Sequence, residues 1–145
     1  MMDKKSRKFA RRYAMQVLYS YDVNPEAEGV DPNDVETEET KRIEGENLAF
    51  AESIIARVKE HEAEIDDILT KHLRRWSLSQ MNVVDKTILR MGVAELMYQN
   101  EETVDAKVII NEAVDMAKVF GGENSYRLIN GILNTIAQER DEKAE

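Results

Sequence analysis

The stretch VVDKTILRMGVAELMY, from Val83 to Tyr98, decides the fold. Its apolar residues fall on nearly every face of a helix, and they are Val84, Ile88, Leu89, Met91, Val93, Ala94, Leu96 and Met97. A helix that is apolar all round is normally enclosed by other helices. Asn82 comes just before the stretch and Asp85 three positions later, a pair that resembles a capping box. The sequence therefore predicts a capped helix at the centre of a bundle.

Five further helices are predicted around this central one, because apolar residues recur at helical spacing on both sides of it. They cover about 4–21, 46–58, 62–73, 105–120 and 124–138. Pro25 follows the first of them and Gly121-Gly122 the fourth, and both are typical stop signals. We expect the first three helices to form one half of the molecule and the last three, with the central helix among them, the other. Gly131, inside the last helix, is expected to let a neighbour approach closely.

The chain length indicates a single domain, residues 1–145. Two prolines, six glycines and long helical periods predict an all-α fold, a bundle of about six or seven helices in two packed halves. Residues 22–45 are acidic, contain both prolines and carry few apolar side chains, so we expect a mobile connection there. Residues 138–145 are predicted to be a polar tail.

The composition excludes several classes of protein. The chain has no cysteine, so it has no disulfide framework and no thiolate nucleophile. No apolar run approaches the roughly 20 residues of a membrane span, and the start is too polar for a signal peptide. We therefore expect a cytoplasmic protein without a membrane partner.

A basic arm opens this acidic chain. Residues 1–12 carry six positive charges and one negative, a net of +5, whereas the whole chain carries −9 and the remainder therefore −14. Lys8, Arg12, Gln16 and Tyr19 fall within about one quadrant of a helix. Cations beside an amide and an aromatic ring suit a polyanion with exposed bases. The alternative interpretation, a solvated basic terminus, stays open at this point.

No arrangement of residues predicts catalysis. His61 and His72 are the two histidines, and neither has a second histidine at metal-ligand spacing. The acidic pair Asp66-Asp67 points to different helix faces, so it is no catalytic dyad. We therefore expect no enzyme activity, no metal and no cofactor.

Three segments carry a resemblance to a known family. They are VIINEAVDMAKVFGGENSYRLINGILNTIA from Val108 to Ala137, RRYAMQVLYSYD near the start, and VVDKTILRMGVAEL from Val83 to Leu96. The first resembles the C-terminal signature of the NusB family of bacterial transcription antitermination factors. Its shared elements are I-N-E-A, A-K-x-F-G, a following serine and N-G-x-L. The three segments occur in the family's order across nearly the whole chain.

The resemblance implies a NusB-like helical bundle that binds boxA-type single-stranded RNA together with a small-subunit ribosomal protein, NusE. It also implies that this pair joins elongating RNA polymerase and promotes read-through of terminators, notably in ribosomal RNA operons. Some members of the family self-associate, so a homodimer stays open.

The residues expected to bind RNA lie in two places. The arm and the first helix supply Lys4, Lys5, Arg7, Lys8, Arg11, Arg12, Gln16 and Tyr19. The resemblance adds a second patch at the loop before the last helix, with Lys118, Asn124, Ser125, Arg127 and Leu128. It also implies that Asp85 faces the ribosomal protein. Asn124 and Leu128 replace an aspartate and a phenylalanine that are frequent in the family.

Two alternatives remain besides this reading. A similar helical domain precedes the catalytic domain of RNA cytosine methyltransferases, so the chain could be a stand-alone relative of that domain. This chain has no room for the catalytic domain and no cysteine for its chemistry. The other alternative is a non-catalytic protein–protein adaptor whose basic arm is solvated.

Overall fold

The computed structural model describes residues 4–24, 43–75, 77–99 and 105–144. This part of the chain contains six α-helices and no strand. The helices are α1 (Lys4–Val23), α2 (Gly45–Glu60), α3 (Glu62–His72), α4 (Val83–Tyr98), α5 (Ala106–Phe120) and α6 (Ser125–Ala144), with a short 3-10 helix at Leu78–Gln80. The predicted all-α class is confirmed. Most of the predicted acidic connection, residues 25–42, lies outside the described residues.

The chain divides into two compact units, Met1–Ala56 and Arg57–Glu145, called here the N-terminal and C-terminal units. In the N-terminal unit, burial of α1 extends beyond the apolar face that the spacing of its apolar residues predicts. The apolar residues Tyr13, Val17 and Leu18 are buried, and so are Arg11 and Arg12. Among the described residues, no helix is long and apolar enough to cross a membrane.

The C-terminal unit is built around α4, as the sequence predicts. This helix contacts α3, α5 and α6, and most of its residues from Asp85 to Leu96 are buried. Helix α6 approaches α4 closely at Gly92, where an added Cβ would lie 2.7 Å from Leu133 Cδ1 of α6. The close approach expected at Gly131 is wrong, since a Cβ there would meet no atom within 4 Å.

Helix α3 belongs to the C-terminal unit, so its predicted grouping with the first two helices is wrong. Asp66 of α3 accepts two hydrogen bonds from Arg90 of α4, at 2.8 and 2.9 Å. The Tyr98 hydroxyl donates to Glu64 at 2.8 Å. Burial, and then this hydrogen bond and the Glu64 charge, raise the pKa of Tyr98 above its ordinary value. An apolar period identifies the inner face of α3, but not the helix that this face meets.

Helix α6 runs to Ala144, past the predicted end near residue 138. The added turns are polar, as expected, and contain neither proline nor glycine, so nothing in them stops a helix. Two contacts tie them to the rest of the unit. Arg140 donates to the carbonyl oxygen of Leu96 at 3.0 Å, and Glu139 pairs with His72 of α3 at 3.0 Å.

Candidate nucleic-acid interface

Two cations flank one aromatic ring where α5 ends and α6 begins. The Lys118 ammonium lies 5.3 Å from the centroid of the Tyr126 ring, and the Arg127 guanidinium carbon lies 5.7 Å from it. Arg127 Nε also donates to the Tyr126 hydroxyl at 3.2 Å. We call Lys118, Tyr126 and Arg127 the Tyr126 patch. Cations beside a ring provide contacts for both phosphates and stacked bases.

The sequence predicts Lys118 and Arg127 as RNA-binding residues, but Tyr126 was not among the predicted residues. Tyr126 could have been recognised from the sequence, because it is an aromatic residue directly before Arg127 in a loop already expected to bind RNA. The other predicted residues of this loop lie beside the patch. Asn124 is exposed in a left-handed conformation with a φ of 66°, and Leu128 is 40% exposed. The RNA-binding roles expected of Asn124 and Leu128 stay predictions.

Asp85 holds the loop that leads into the patch. Its Oδ2 accepts hydrogen bonds from Ser125 Oγ at 2.6 Å and from Asn82 Nδ2 at 2.8 Å. Asn82 Oδ1 in return accepts from the Asp85 backbone N–H at 2.8 Å, which confirms the predicted cap of α4. We call Asp85, Asn82, Ser125 and Gly121 the Asp85 clamp. It joins the start of α4, the end of α5 and the start of α6.

Gly121 is required in this clamp because it has no side chain. A Cβ at this position would lie 2.6 Å from Asp85 Oδ1 and 2.7 Å from the carbonyl oxygen of Ala117. Asp85 itself is only 6% exposed, and its Oδ1 has no hydrogen-bond partner among the described residues. The Ser125 hydroxyl donates to Asp85, and the RNA-binding role expected of Ser125 stays a prediction.

The predicted residues of α1 differ in exposure. Lys8 and Arg7 are half-buried, and Tyr19 is 38% exposed. Arg11 is 1% exposed and Arg12 7% exposed, so the predicted row of exposed cations is interrupted. Gln16 is half-buried, with Oε1 enclosed and no hydrogen-bond partner in the described part of the chain. The side chains of Lys4 and Lys5 lie outside the described residues.

Phe50 of α2 explains why arginine can be enclosed here. The guanidinium carbons of Arg7 and Arg11 lie 4.9 and 5.1 Å from the centroid of its ring. A guanidinium group stacks on aromatic rings and is less strongly hydrated than an ammonium group, so it tolerates burial better than a lysine would. A helical wheel gives the direction of Arg11 but does not show the ring that covers it. The RNA-binding roles of Arg11 and Arg12 stay predictions.

The two histidines take part in contacts between helices. The His61 ring stacks on the Tyr98 ring, with centroids 3.9 Å apart. His72 is hydrogen-bonded to the Ile68 carbonyl oxygen and to Glu139. Within residues 4–24, 43–75, 77–99 and 105–144, no group of three metal-ligating side chains comes together.

The helical fold and the Tyr126 patch together define an all-α protein with a cationic, aromatic surface suited to a polyanion. The profile of the NusB family matches residues 8–138, and the chain belongs to that family of transcription antitermination proteins. The family resemblance noted in the sequence is thereby confirmed.

Named relatives and solved structures agree with this assignment. The transcription antitermination protein NusB of Elusimicrobium minutum is 39% identical over 135 residues, which is 93% of this chain and 95% of the relative. That of Bacillus mycoides is 39% identical over 130 residues, 90% of this chain and 95% of the relative. T. maritima NusB superposes with a TM-score of 0.77 at 30% identity, covering 92% of this chain and 91% of the other.

A further solved structure contains the antitermination factors NusB and NusE in complex with double-stranded RNA. Its matching chain superposes with a TM-score of 0.76 at 28% identity, and the match covers 96% of this chain and 99% of that one.

Proposed function

We propose that this chain is a non-catalytic transcription antitermination factor that binds boxA-type single-stranded RNA together with the small-subunit ribosomal protein NusE. In this proposal the complex acts in the cytoplasm, joins elongating RNA polymerase and promotes read-through of terminators, notably in ribosomal RNA operons. The observation that carries it is the Tyr126 patch, which places two cations on an aromatic ring in a chain of net charge −9. The solved NusB–NusE–RNA complex supports the choice of partners.

In this proposal the Tyr126 patch and α1 each supply contacts to RNA. Lys118, Arg127 and Lys8 neutralise phosphates, which fixes the position of the strand without reading its sequence. Tyr126, Leu128 and Tyr19 supply surfaces against which bases stack. Because the protein as a whole is acidic, its affinity for RNA alone is modest, and NusE adds further contacts.

A salt titration of RNA binding tests the proposal. The logarithm of the affinity is expected to fall linearly with the logarithm of the salt concentration. Lys8→Gln and Lys118→Gln should each flatten that slope by about 0.7, the value for one phosphate contact on a single strand. The measurement is fluorescence anisotropy of a labelled boxA-type RNA at several salt concentrations. Lys107→Gln, which removes an exposed charge at the start of α5, is the matched control and should leave the slope unchanged.

The protein–protein adaptor remains the second candidate, because the enclosure of Arg11 and Arg12 removes two cations from the exposed part of α1. RNA binding that is absent at low salt, while NusE still binds, would favour the adaptor. Arg11→Lys separates the two roles of Arg11. A lower melting temperature with unchanged RNA affinity would make Arg11 structural, and the reverse pattern would make it an RNA ligand.

A further inference from the structure

A groove of about 600 Å³ lies between the end of α3 and residues 127–139 of α6, entirely within the C-terminal unit. Lys71 and Arg74 line it from the α3 side, and Arg127, Leu128 and Gly131 line it from α6. Its volume is in the range of sites that hold ligands. Arg127 also belongs to the Tyr126 patch, so the groove and the patch are continuous.

The charge of the groove suits an anion. Lys71, Arg74 and Arg127 are all exposed. The acidic residue of the lining, Glu139, is hydrogen-bonded to His72 Nε2 at 3.0 Å, and the Ile68 carbonyl oxygen lies 2.7 Å from His72 Nδ1. The three cations Lys71, Arg74 and Arg127 outnumber this single carboxylate, so the lining is cationic.

Gly131 is a second, independent feature of the groove. A glycine in the middle of a helix destabilises it relative to alanine. A Cβ at this position would meet no atom within 4 Å, so contacts inside the protein do not require a glycine. Gly92 of α4 is the opposite case, since Leu133 fills the space beside it. The bare backbone at Gly131 leaves room for a ligand to lie close to α6.

We propose that this groove binds RNA and extends the strand held at the Tyr126 patch by further nucleotides. Lys71 and Arg74 contact phosphates from the α3 side and Arg127 contacts them from α6. A ribose or base lies over Gly131 and against Leu128. This inference rests on the proposed function, because it lengthens the RNA path of the same surface, and neither α3 nor Gly131 was among the residues expected to bind RNA.

The experiment measures binding of labelled single-stranded RNAs of increasing length, from about 4 to about 16 nucleotides, to the full chain. Lys71→Gln and Arg74→Gln are each expected to weaken binding of the longer RNAs roughly two- to fivefold, as for the loss of one exposed ion pair. Binding of the shortest RNA that the Tyr126 patch holds should not change. Lys107→Gln is the charge-matched control outside the groove.

Gly131→Leu tests the groove without removing a charge. The side chain fills the space over α6, so the longer RNAs should bind at least fivefold more weakly. The helix gains a better helix former, so the melting temperature should not fall. Ala63→Leu places a leucine at an exposed position in the first turn of α3, which does not line the groove, and should leave RNA binding unchanged.

The outcomes distinguish this inference from the proposed function. If the groove variants bind every RNA like the wild type while Lys118→Gln binds more weakly, RNA stops at the Tyr126 patch and the groove proposal is wrong. If the groove variants lose affinity for NusE alone, the groove is a protein-binding surface and the proposal is again wrong. If the wild type binds no RNA, both the proposed function and the groove proposal fail.

Discussion

At the scale of single residues, Asp85 shows how one buried side chain can shape a surface that it does not reach. The resemblance to the family implies that Asp85 faces NusE, whereas the structure leaves it 6% exposed between Asn82 and Ser125. Its hydrogen bond to Ser125 fixes the first residue of α6, next to Tyr126. We therefore propose that Asp85 contributes to partner binding mainly by positioning the helix ends around it.

Removing either partner of the Asp85–Ser125 hydrogen bond tests this positioning role. Asp85→Ala is expected to lower the free energy of unfolding by about 1–3 kcal/mol, because it takes the shared acceptor away from Ser125 Oγ and Asn82 Nδ2 and so releases the side chain that caps α4. Ser125→Ala should cost about 1 kcal/mol. If Asp85 acts by positioning, both substitutions weaken NusE binding. The measurements are urea unfolding and calorimetric titration with NusE.

A different pattern of NusE binding would show that the Asp85 carboxylate contacts NusE directly. Asp85→Asn retains the shape of the side chain and an acceptor for Ser125. If Asp85→Asn weakens NusE binding as strongly as Asp85→Ala does, while Ser125→Ala has no effect on it, the carboxylate contacts NusE directly and the positioning role is wrong.

At the scale of the helices, packing of α6 against α4 depends on the absence of a side chain at Gly92. The Cβ of an alanine would lie 2.7 and 2.9 Å from the two terminal methyl carbons of Leu133, which is fully buried. Because Leu133 is fully buried in a close-packed interior, it can make room for the added carbon only by displacing its own neighbours. The glycine is therefore set by tertiary packing, against the helix propensity of its own segment.

Gly92→Ala is expected to destabilise the protein by about 1–3 kcal/mol, the usual cost of overpacking a core, although alanine is the better helix former. Gly131→Ala is the matched control. It adds the same methyl group to an open position of α6 and should stabilise the protein by about 0.5–1 kcal/mol. Both values come from urea unfolding.

A double substitution tests the contact itself. Leu133→Ala should lower the free energy of unfolding less in the Gly92→Ala background than it does in the wild type. If the losses of stability caused by Gly92→Ala and Leu133→Ala simply add, the contact between these two positions does not limit the packing of α4 against α6.

At the scale of the whole molecule, charge is distributed unevenly along the chain. Residues 1–12 carry a net of +5 within a protein of net charge −9. In the C-terminal unit, Lys118 and Arg127 flank the Tyr126 ring, and Lys71 and Arg74 line the adjoining groove. An acidic body repels a polyanion except at such clusters, so the repulsion helps to direct RNA to them.

Binding of RNA should therefore stabilise the whole protein, and salt should abolish the effect. At a concentration 100 times its Kd, a single-stranded RNA is expected to raise the free energy of unfolding by about 2.7 kcal/mol. The measurement is a thermal melt with and without RNA at low salt and at roughly tenfold higher salt. Heparin, a polyanion without bases, serves as the control. An equal shift with heparin would mean that charge alone drives binding and that Tyr126 and Tyr19 stack on no base.

The sequence by itself determined the local features of this protein. The apolar period predicted all six helices, and the bounds of α4 agree with the structure because Asn82 caps its start. Gly121 ends α5 as expected. The positive charge of the arm and the position of a candidate RNA-binding loop before α6 could also be recognised in the sequence. Helix periods, caps and charge runs are properties of neighbouring residues, so they can be recognised without the fold.

Tertiary structure alone decided which of these residues are exposed and what they contact. It enclosed Arg11 beside Phe50, placed α3 against α4, and left Gly131 open while Gly92 is packed. It also brought Lys118 and Arg127 to one ring, and Asp85 to Ser125, 40 residues away along the chain. Exposure and contact depend on neighbours that are distant in sequence, and a helical period specifies only the direction in which a side chain points.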